Sequence, residues 1–360
     1  MNSAVDRPLL FAWLFVLAFG LVMVASASVA MDRDFLPRHG AYLGVALAAF
    51  LVTLAIPLAV WRRCRQLAWI AALVLCAAVL VPGLGQSVNG ATRWIDLGVV
   101  TLQPSEAARF FVLVYLAGFL ARFDDTLKDD SRVLVGPLVV LGLILALLVA
   151  EPDIGSVVVL GSTAGALLFL AGMRLRYFVP LVLLGAMLFS FLAIAQPYRL
   201  ERLITFTDPW ATAYGSGYQL VQALIAFGRG ELFGLGLGAG IQKLYYLPEA
   251  HNDFIFAVIA EELGLAGALT LLALFSFLVY RILVTGKGLL ERGEKFGGYL
   301  CYGVGIVLGV QALINLGVSS GILPTKGLTL PFVSYGGNSL IVCCALIGLV
   351  CRAQIEEAKA

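Results

Sequence analysis

Ten apolar runs, each nearly free of charge, succeed one another at positions 9–30, 41–60, 67–82, 107–121, 133–150, 154–172, 178–196, 254–280, 299–318 and 340–350. A bilayer core takes about 20 apolar residues per helix, and runs of that length without period-two alternation predict helices that cross a membrane. The pattern therefore predicts an all-α polytopic membrane protein with about ten transmembrane helices, the last of them short, in a single domain covering 1–360. Most connections are brief, but 83–105, 197–253 and 319–339 are long, and the second of these has no segment able to span. Binding and catalytic residues concentrate on such segments when a rigid scaffold holds them.

Charge orients the bundle. With the N-terminus inside, 15 of the 24 Lys and Arg fall on inner connections. Eight fall outside (Arg33, Arg38, Arg93, Arg199, Arg202, Arg229, Lys243, Lys326), and Arg109 lies within a span. The excess of inner cations predicts that both termini are cytoplasmic and that 197–253, between the seventh and eighth helices, forms a large periplasmic loop. Composition agrees: 61% hydrophobic and 13% charged residues exclude an ordinary soluble domain. A net charge of +2, scattered over short loops, gives no surface for nucleic acid. The six cysteines lie in apolar runs or inner segments, with no CxxC and no nearby His, so neither disulfides nor a structural zinc are expected.

Within the long outer loop, 217–227 has apolar residues at helical spacing beside Gln219 and Gln222, which predicts a helix along the membrane interface. The glycines that follow, Gly234, Gly236, Gly238 and Gly240, have no βαβ unit around them, so they do not form a dinucleotide site. They read as a flexible turn or as a close backbone approach to a ligand.

The chemistry-bearing residues crowd toward the outer ends of the helices. Pro248 breaks any helix before it, so Asp253 stands at the start of the eighth span, either capping that helix or free for chemistry. Glu106 and Arg109 lie three apart at the start of the fourth span and share a face. An arginine on a spanning helix needs an ion pair, a watery cavity or both, so the two either lock helices together or shape a site. Glu151-Pro152-Asp153 opens the sixth span, with capping again open as its role. Carboxylates and cations on one membrane face suit a substrate with a hydroxyl to deprotonate and a phosphate to hold.

These residues lie in longer motifs: Asn89-Gly90-Ala91-Thr92-Arg93-Trp94-Ile95, Gln103-Pro104-Ser105-Glu106, Glu151-Pro152-Asp153-Ile154-Gly155, Tyr198-Arg199-Leu200-Glu201-Arg202, Tyr246-Leu247-Pro248-Glu249-Ala250-His251-Asn252-Asp253-Phe254, Leu323-Pro324-Thr325-Lys326-Gly327 and Ser334-Tyr335-Gly336-Gly337. With these motifs in this order, the chain resembles the SEDS proteins (shape, elongation, division and sporulation). Ala226-Phe227-Gly228-Arg229-Gly230 and Leu323-Pro324-Thr325-Lys326-Gly327 are similar to the division branch rather than the elongation branch. It departs from the family pattern at Arg109, where Lys is typical, at Asn252, usually Thr, and at Asn338, usually Ser.

The resemblance implies a peptidoglycan glycosyltransferase of cell division. Such an enzyme polymerises lipid II, a disaccharide pentapeptide on undecaprenyl diphosphate, into β-1,4 strands at the periplasmic face and releases undecaprenyl diphosphate. It implies as partners a septal class B penicillin-binding protein of the FtsI type, the FtsQ/FtsL/FtsB subcomplex and membrane lipid, in the bacterial inner membrane at the septum. Making a β bond from an α-linked donor inverts the anomeric carbon, which points to one direct displacement. On that basis Asp253 is the expected base, and Glu106 with Arg109 shapes the cavity. Arg93, Asp153, Arg199, Arg202, Lys243, His251 and Lys326 are the expected substrate-binding residues, with Arg199, Arg202 and Lys243 on the diphosphate. The sequence establishes no cofactor; a divalent cation, Mg or Mn, could share the diphosphate, although no ligand cluster compels one.

Two other functions stay open at this level, a lipid II flippase and a non-catalytic division scaffold. Alternating access normally uses polar groups near the midplane and often an internal repeat. Here the ionisable residues crowd one face, and no repeat is visible. A scaffold would bind its partner without turnover.

Overall fold

The computed structural model describes residues 5–29, 35–88, 91–96, 98, 101–129, 131–194, 196–325 and 327–358. Each apolar run becomes a helix. The spans are α1 (Arg7–Ala27), α2 (Phe35–Ala55), α4 (Arg65–Val79), α5 (Pro104–Asp129), α6 (Val135–Ala150), α7 (Ile154–Leu170), α8 (Leu175–Ile194), α11 (Ile255–Glu291), α12 (Lys295–Ser319) and α13 (Gly337–Glu357), with the short α3 (Leu58–Arg63) between α2 and α4. Seven of the described helices are long and apolar enough to cross a membrane, α4 and α7 are shorter apolar helices, and α5 is the one loaded with charge. The chain is a polytopic membrane protein.

The last helix is longer than its apolar run suggested. Its inner end continues through Arg352, Gln354, Glu356 and Glu357, which hydropathy alone reads as loop. These polar groups have partners: Arg352 pairs with Glu356 at 2.8 Å, and the Gln354 amide donates to Thr285 Oγ1 at 2.9 Å. α12 and α13 form the buried centre, with α5, α7 and α11 against α12 and with α2 along α13. Thr53 of α2 donates to the Ala345 carbonyl of α13 at 2.9 Å, the kind of small-residue, close-backbone contact by which helices associate in lipid. α8 is peripheral, and Leu183, Met187 and Phe191 on it are largely exposed to lipid.

The outer connections carry structure of their own. In 83–105 the chain forms a small antiparallel sheet, β1 (Gly85–Val88), β2 (Ala91–Asp96) and β3 (Thr101–Leu102), in the order β1-β2-β3. This sheet was not read from the sequence, where hydropathy had nothing to report. The long outer loop holds α9 (Pro197–Thr207) and α10 (Tyr218–Gly230). α10 is the amphipathic segment expected at the interface, and its apolar face, with Leu220, Val221 and Ala223, is buried by packing on α11.

α11 runs for 37 residues and is interrupted at Gly264, whose φ of +67° only glycine adopts freely. The backbone groups freed by the break are taken by the outer loop. Leu265 and Ala266 donate to the carbonyls of Glu231 and Leu232 at 2.9 and 3.0 Å. Leu235 and Gly236 donate to those of Glu261 and Glu262 at 3.0 and 2.9 Å. An interrupted helix near lipid is tolerable only when its polar backbone is satisfied in this way.

Candidate functional site

At the outer end of the bundle three segments meet: the turn entering α11, the outer end of α12, and the loop 320–336. The meeting is built on Asn315 of α12. Its Nδ2 donates to the Asp253 carbonyl at 2.9 Å and to the Leu328 carbonyl at 2.6 Å, tying both loops to one buried side chain. Ser319 Oγ adds a bond to the Asp253 carbonyl at 3.3 Å, and the Tyr335 amide donates to the His251 carbonyl at 2.9 Å.

With its backbone held, Asp253 does not cap α11. The N-cap residue is Phe254, and no side chain accepts a capping bond there. The carboxylate instead lies against Gly327, where an added Cβ would sit 2.6 Å from Asp253 Oδ2. Burial pushes the Asp253 carboxyl up to about 7; the negative charge of Glu249 raises it further, and Arg202 and Arg93 oppose the rise. It therefore exchanges a proton near neutrality, as a general base must.

The two arginines come from different elements. Arg93, on β2, donates to the carbonyls of Glu151 (3.4 Å) and Pro152, so the small sheet is pinned to the turn between α6 and α7. Arg202, on α9, donates to the Thr325 carbonyl at 3.2 Å. Arg199 lies one turn before it on α9, with its side chain outside the described residues, and Lys326 is likewise outside them. His251 is buried, edge-on to Phe35 at 4.7 Å, with Nε2 4.0 Å from Glu249. Burial holds its imidazole below the ordinary value, against the pull of Glu249.

Glu106 and Arg109 pair as their spacing requires, at 3.0 Å, and both are buried. The arginine uses its fork: a second nitrogen donates to Gln311 Oε1 of α12, while Gln311 Nε2 reaches the Thr329 carbonyl at 3.0 Å and Ser339 Oγ at 3.3 Å. One network thus joins α5, α12, the 320–336 loop and α13. A lysine, with no second donor plane, could not make this bridge in the same way.

Two expectations need correction. Lys243, expected on the diphosphate, is buried elsewhere: its Nζ pairs with Glu262 at 2.6 Å and donates to Ser26 Oγ at 2.8 Å. The spaced glycines approach carboxylates of the chain itself rather than a ligand. Gly238 donates to Glu262 Oε2 at 3.0 Å, and a Cβ on Gly240 would meet Glu261 and Glu262 within 3.0 Å. Glu261 also receives the amides of Ile241 and Gln242 and pairs with Arg229 at 3.2 Å.

Asp153 and Glu151 divide the two roles left open for their motif. Asp153 caps α7, accepting from the Ser156 amide at 3.3 Å and hydroxyl at 2.7 Å. Glu151 is fully buried beside the Cys76 thiol. Burial, then the charge of Asp153, pushes it up to about 8, so it is largely protonated at neutral pH. The motif announced two carboxylates, but which one caps was not readable from spacing. Among the described residues no three His, Cys, Asp or Glu side chains converge as a metal-ligand set.

A family model described as cell cycle protein, FtsW/RodA/SpoVE, matches residues 7–359. The chain is 46% identical over 358 residues to a probable peptidoglycan glycosyltransferase FtsW of Coxiella burnetii, covering 98% of this chain and 96% of that one. It is 47% identical to the protein of the same name from Pseudomonas fluorescens, covering 98% and 88%. Among solved structures, a chain from work on the coordination of polymerization and crosslinking by a peptidoglycan synthase complex superposes with a TM-score of 0.80 at 28% identity, over 99% of both chains. The rod shape determining protein RodA of Thermus thermophilus superposes with a TM-score of 0.74, also at 28% identity, over 98% and 97%. Matched along its whole length in both sequence and fold, the chain belongs to the FtsW/RodA/SpoVE family of cell cycle proteins, the SEDS family.

Proposed function

We propose that the chain is the peptidoglycan glycosyltransferase of cell division, polymerising lipid II at the outer face of the membrane with Asp253 as its base. The observation that carries this reading is the Asp253 carboxyl, poised near pH 7, unused as a helix cap, and set within electrostatic reach of two arginines from separate outer elements. A base beside an acceptor hydroxyl and cations beside a departing diphosphate are what an inverting sugar transfer requires.

In this mechanism Asp253 takes the proton of the acceptor 4-hydroxyl as that oxygen attacks the anomeric carbon of the donor. The new C–O bond forms on the face opposite the leaving group, the anomeric C–O bond to phosphate breaks, and undecaprenyl diphosphate departs with the electron pair. Arg202 and Arg93, with Arg199 of α9 and Lys326 of the 319–339 connection as the further cations the sequence offers, balance the charge that develops there. A Mg²⁺ or Mn²⁺ ion is typically held by one or two carboxylates together with substrate phosphates. With Asp253 kept for the proton, such an ion would be held by Glu249 and the substrate diphosphate, and it would supply further positive charge there. Glu106 and Arg109 hold α5, α12 and α13 in register beneath the site, and His251 packs its floor. Lys243 has no part in binding diphosphate.

The substrate also explains the membrane embedding, since a polyprenyl tail keeps lipid II in the bilayer and brings its headgroup to the outer ends of the helices. A septal class B penicillin-binding protein, with FtsQ/FtsL/FtsB, completes the machine at the division site. The test is polymerisation of lipid II by the purified chain with its transpeptidase partner. Glycan strands from the wild type and none from Asp253→Asn support the reading; partner binding without turnover in the wild type would favour a scaffold.

A further inference from the structure

The cytoplasmic end of the bundle holds a second gathering of charge that polymerisation does not use. α3 ends in Arg62 and Arg63, the chain turns at Cys64, and Arg65 opens α4. Arg122 stands on α5 one turn after Gly118. Together with the α11–α12 turn these arginines line a cavity of about 400 Å³. Lys295 also lines it but is engaged by Asp124 and Asp125 at 3.0 Å each. Glu294 is the one carboxylate in the lining among the described residues. None of the four arginines makes an ion pair among the described residues.

Their convergence is built into the packing. An added Cβ at Gly118 would stand 2.8 Å from Arg65 Cδ and 3.1 Å from its Cβ, so the stem of Arg65 lies directly on the α5 backbone. Val60 on α3 and Leu67 on α4 are exposed, as side chains facing lipid are. The cavity therefore sits where hydrocarbon gives way to cytoplasm. The preference for cations on inner loops accounts for scattered arginines such as Arg174 and Arg176. It does not account for four that converge on one cavity with no carboxylate paired to any of them among the described residues, Arg122 having only the face of the Phe123 ring at 5.3 Å; their mutual repulsion has a cost that an anion would relieve. Guanidinium groups match phosphate oxygens in pairs, and basic pockets between helices on the cytoplasmic side suit anionic headgroups.

We propose that this cavity binds the phosphate headgroup of an anionic phospholipid of the inner leaflet. The site is independent of the polymerisation chemistry and is tested without it. The full chain, purified in detergent and stripped of lipid, is melted against increasing short-chain phosphatidylglycerol, phosphatidylcholine or inorganic phosphate. Wild type is expected to show a saturable rise in melting temperature with phosphatidylglycerol, and no such rise with the other two probes. The variant Arg62→Gln/Arg63→Gln/Arg122→Gln is expected to shift the midpoint concentration by on the order of tenfold or more, and Arg174→Gln/Arg176→Gln to leave it unchanged. The milder single variants Arg63→Gln and Arg122→Gln carry the same comparison if the triple variant does not fold, with a weakening of about fivefold expected for each. An unchanged midpoint in the cavity variants, an equal loss in the control pair, or an equal response to phosphatidylcholine would overturn the site. A full response to inorganic phosphate alone would overturn the lipid as its ligand.

Discussion

Asp253 is where stability and activity pull apart. Its carboxyl titrates near 7 in the folded protein, against about 3.9 in an unfolded chain. The folded state therefore holds the proton more tightly, and this residue's contribution to stability falls as pH rises from about 4 to about 7. Asp253→Asn removes that cost, so the variant is expected to melt at the same or a higher temperature than wild type at pH 8, in a thermal scan of the purified protein. Catalysis runs the other way, because the base works only when deprotonated: turnover should climb with pH and level off above about 7. Glu249 is the neighbouring charge that raises this pKa, so Glu249→Gln should move the rising limb of the pH–rate profile to lower pH. Arg202→Gln should move it higher, in addition to weakening the leaving-group end. A profile that stays fixed in both variants would mean that another group titrates. Arg109 and Glu106 make a second test at this scale. Removing either partner of a buried pair costs roughly 3 to 5 kcal/mol, so Glu106→Gln/Arg109→Met is expected to melt closer to wild type than either single change predicts by addition. Strict additivity would show that they do not act as a unit.

Among the elements, α11 and the loop folded against it contain what the sequence concealed. The start of this helix was legible, because Pro248 and the apolar run mark it, and so was the amphipathic α10. What Lys243 and the spaced glycines do was not. Both belong to an arrangement in which Glu261 and Glu262, fully buried on α11, collect amides, Lys243, Arg229 and Ser26 from segments far apart in sequence. An exposed-looking lysine in an outer loop carries no mark that it will be buried against a glutamate 19 residues later. Gly234 has a φ of +79°, and an added Cβ there would lie 2.2 Å from the Glu262 carbonyl, so its glycine is required by close approach as well as by conformation. Lys243→Met leaves Glu262 buried without its cation and is expected to destabilise by roughly 3 kcal/mol or more. Lys243→Met/Glu262→Leu should recover much of that loss, as read by melting temperature. If the single change melts like wild type, the pair does not hold the loop.

For the molecule as a whole, the spans were legible because lipid imposes one rule on every helix, while the small outer sheet and the inner turns of α13 were hidden because polar residues can be loop, strand or helix. Orientation rests on the cation asymmetry and puts the loop from α8 to α11 in the periplasm. A cysteine placed at the exposed Ser216 is expected to react with an impermeant thiol reagent in intact spheroplasts. Labelling only after lysis would invert the bundle and with it the chemistry. The residues around Asp253 are gathered from β2, α9, α11, α12 and the 320–336 loop, so the site exists only once the bundle has closed. Its motifs were visible as separate strings, but the distances among them were not.

The most direct measurement takes one preparation of Asp253→Asn, bound to its transpeptidase partner, and follows lipid II polymerisation, melting temperature and partner binding together. General base catalysis is worth about 10²- to 10⁴-fold, so polymerisation should fall by at least about a hundredfold while the protein melts and binds normally. Near-wild-type glycan synthesis by that folded, partner-bound variant would contradict the assignment of Asp253 as the base.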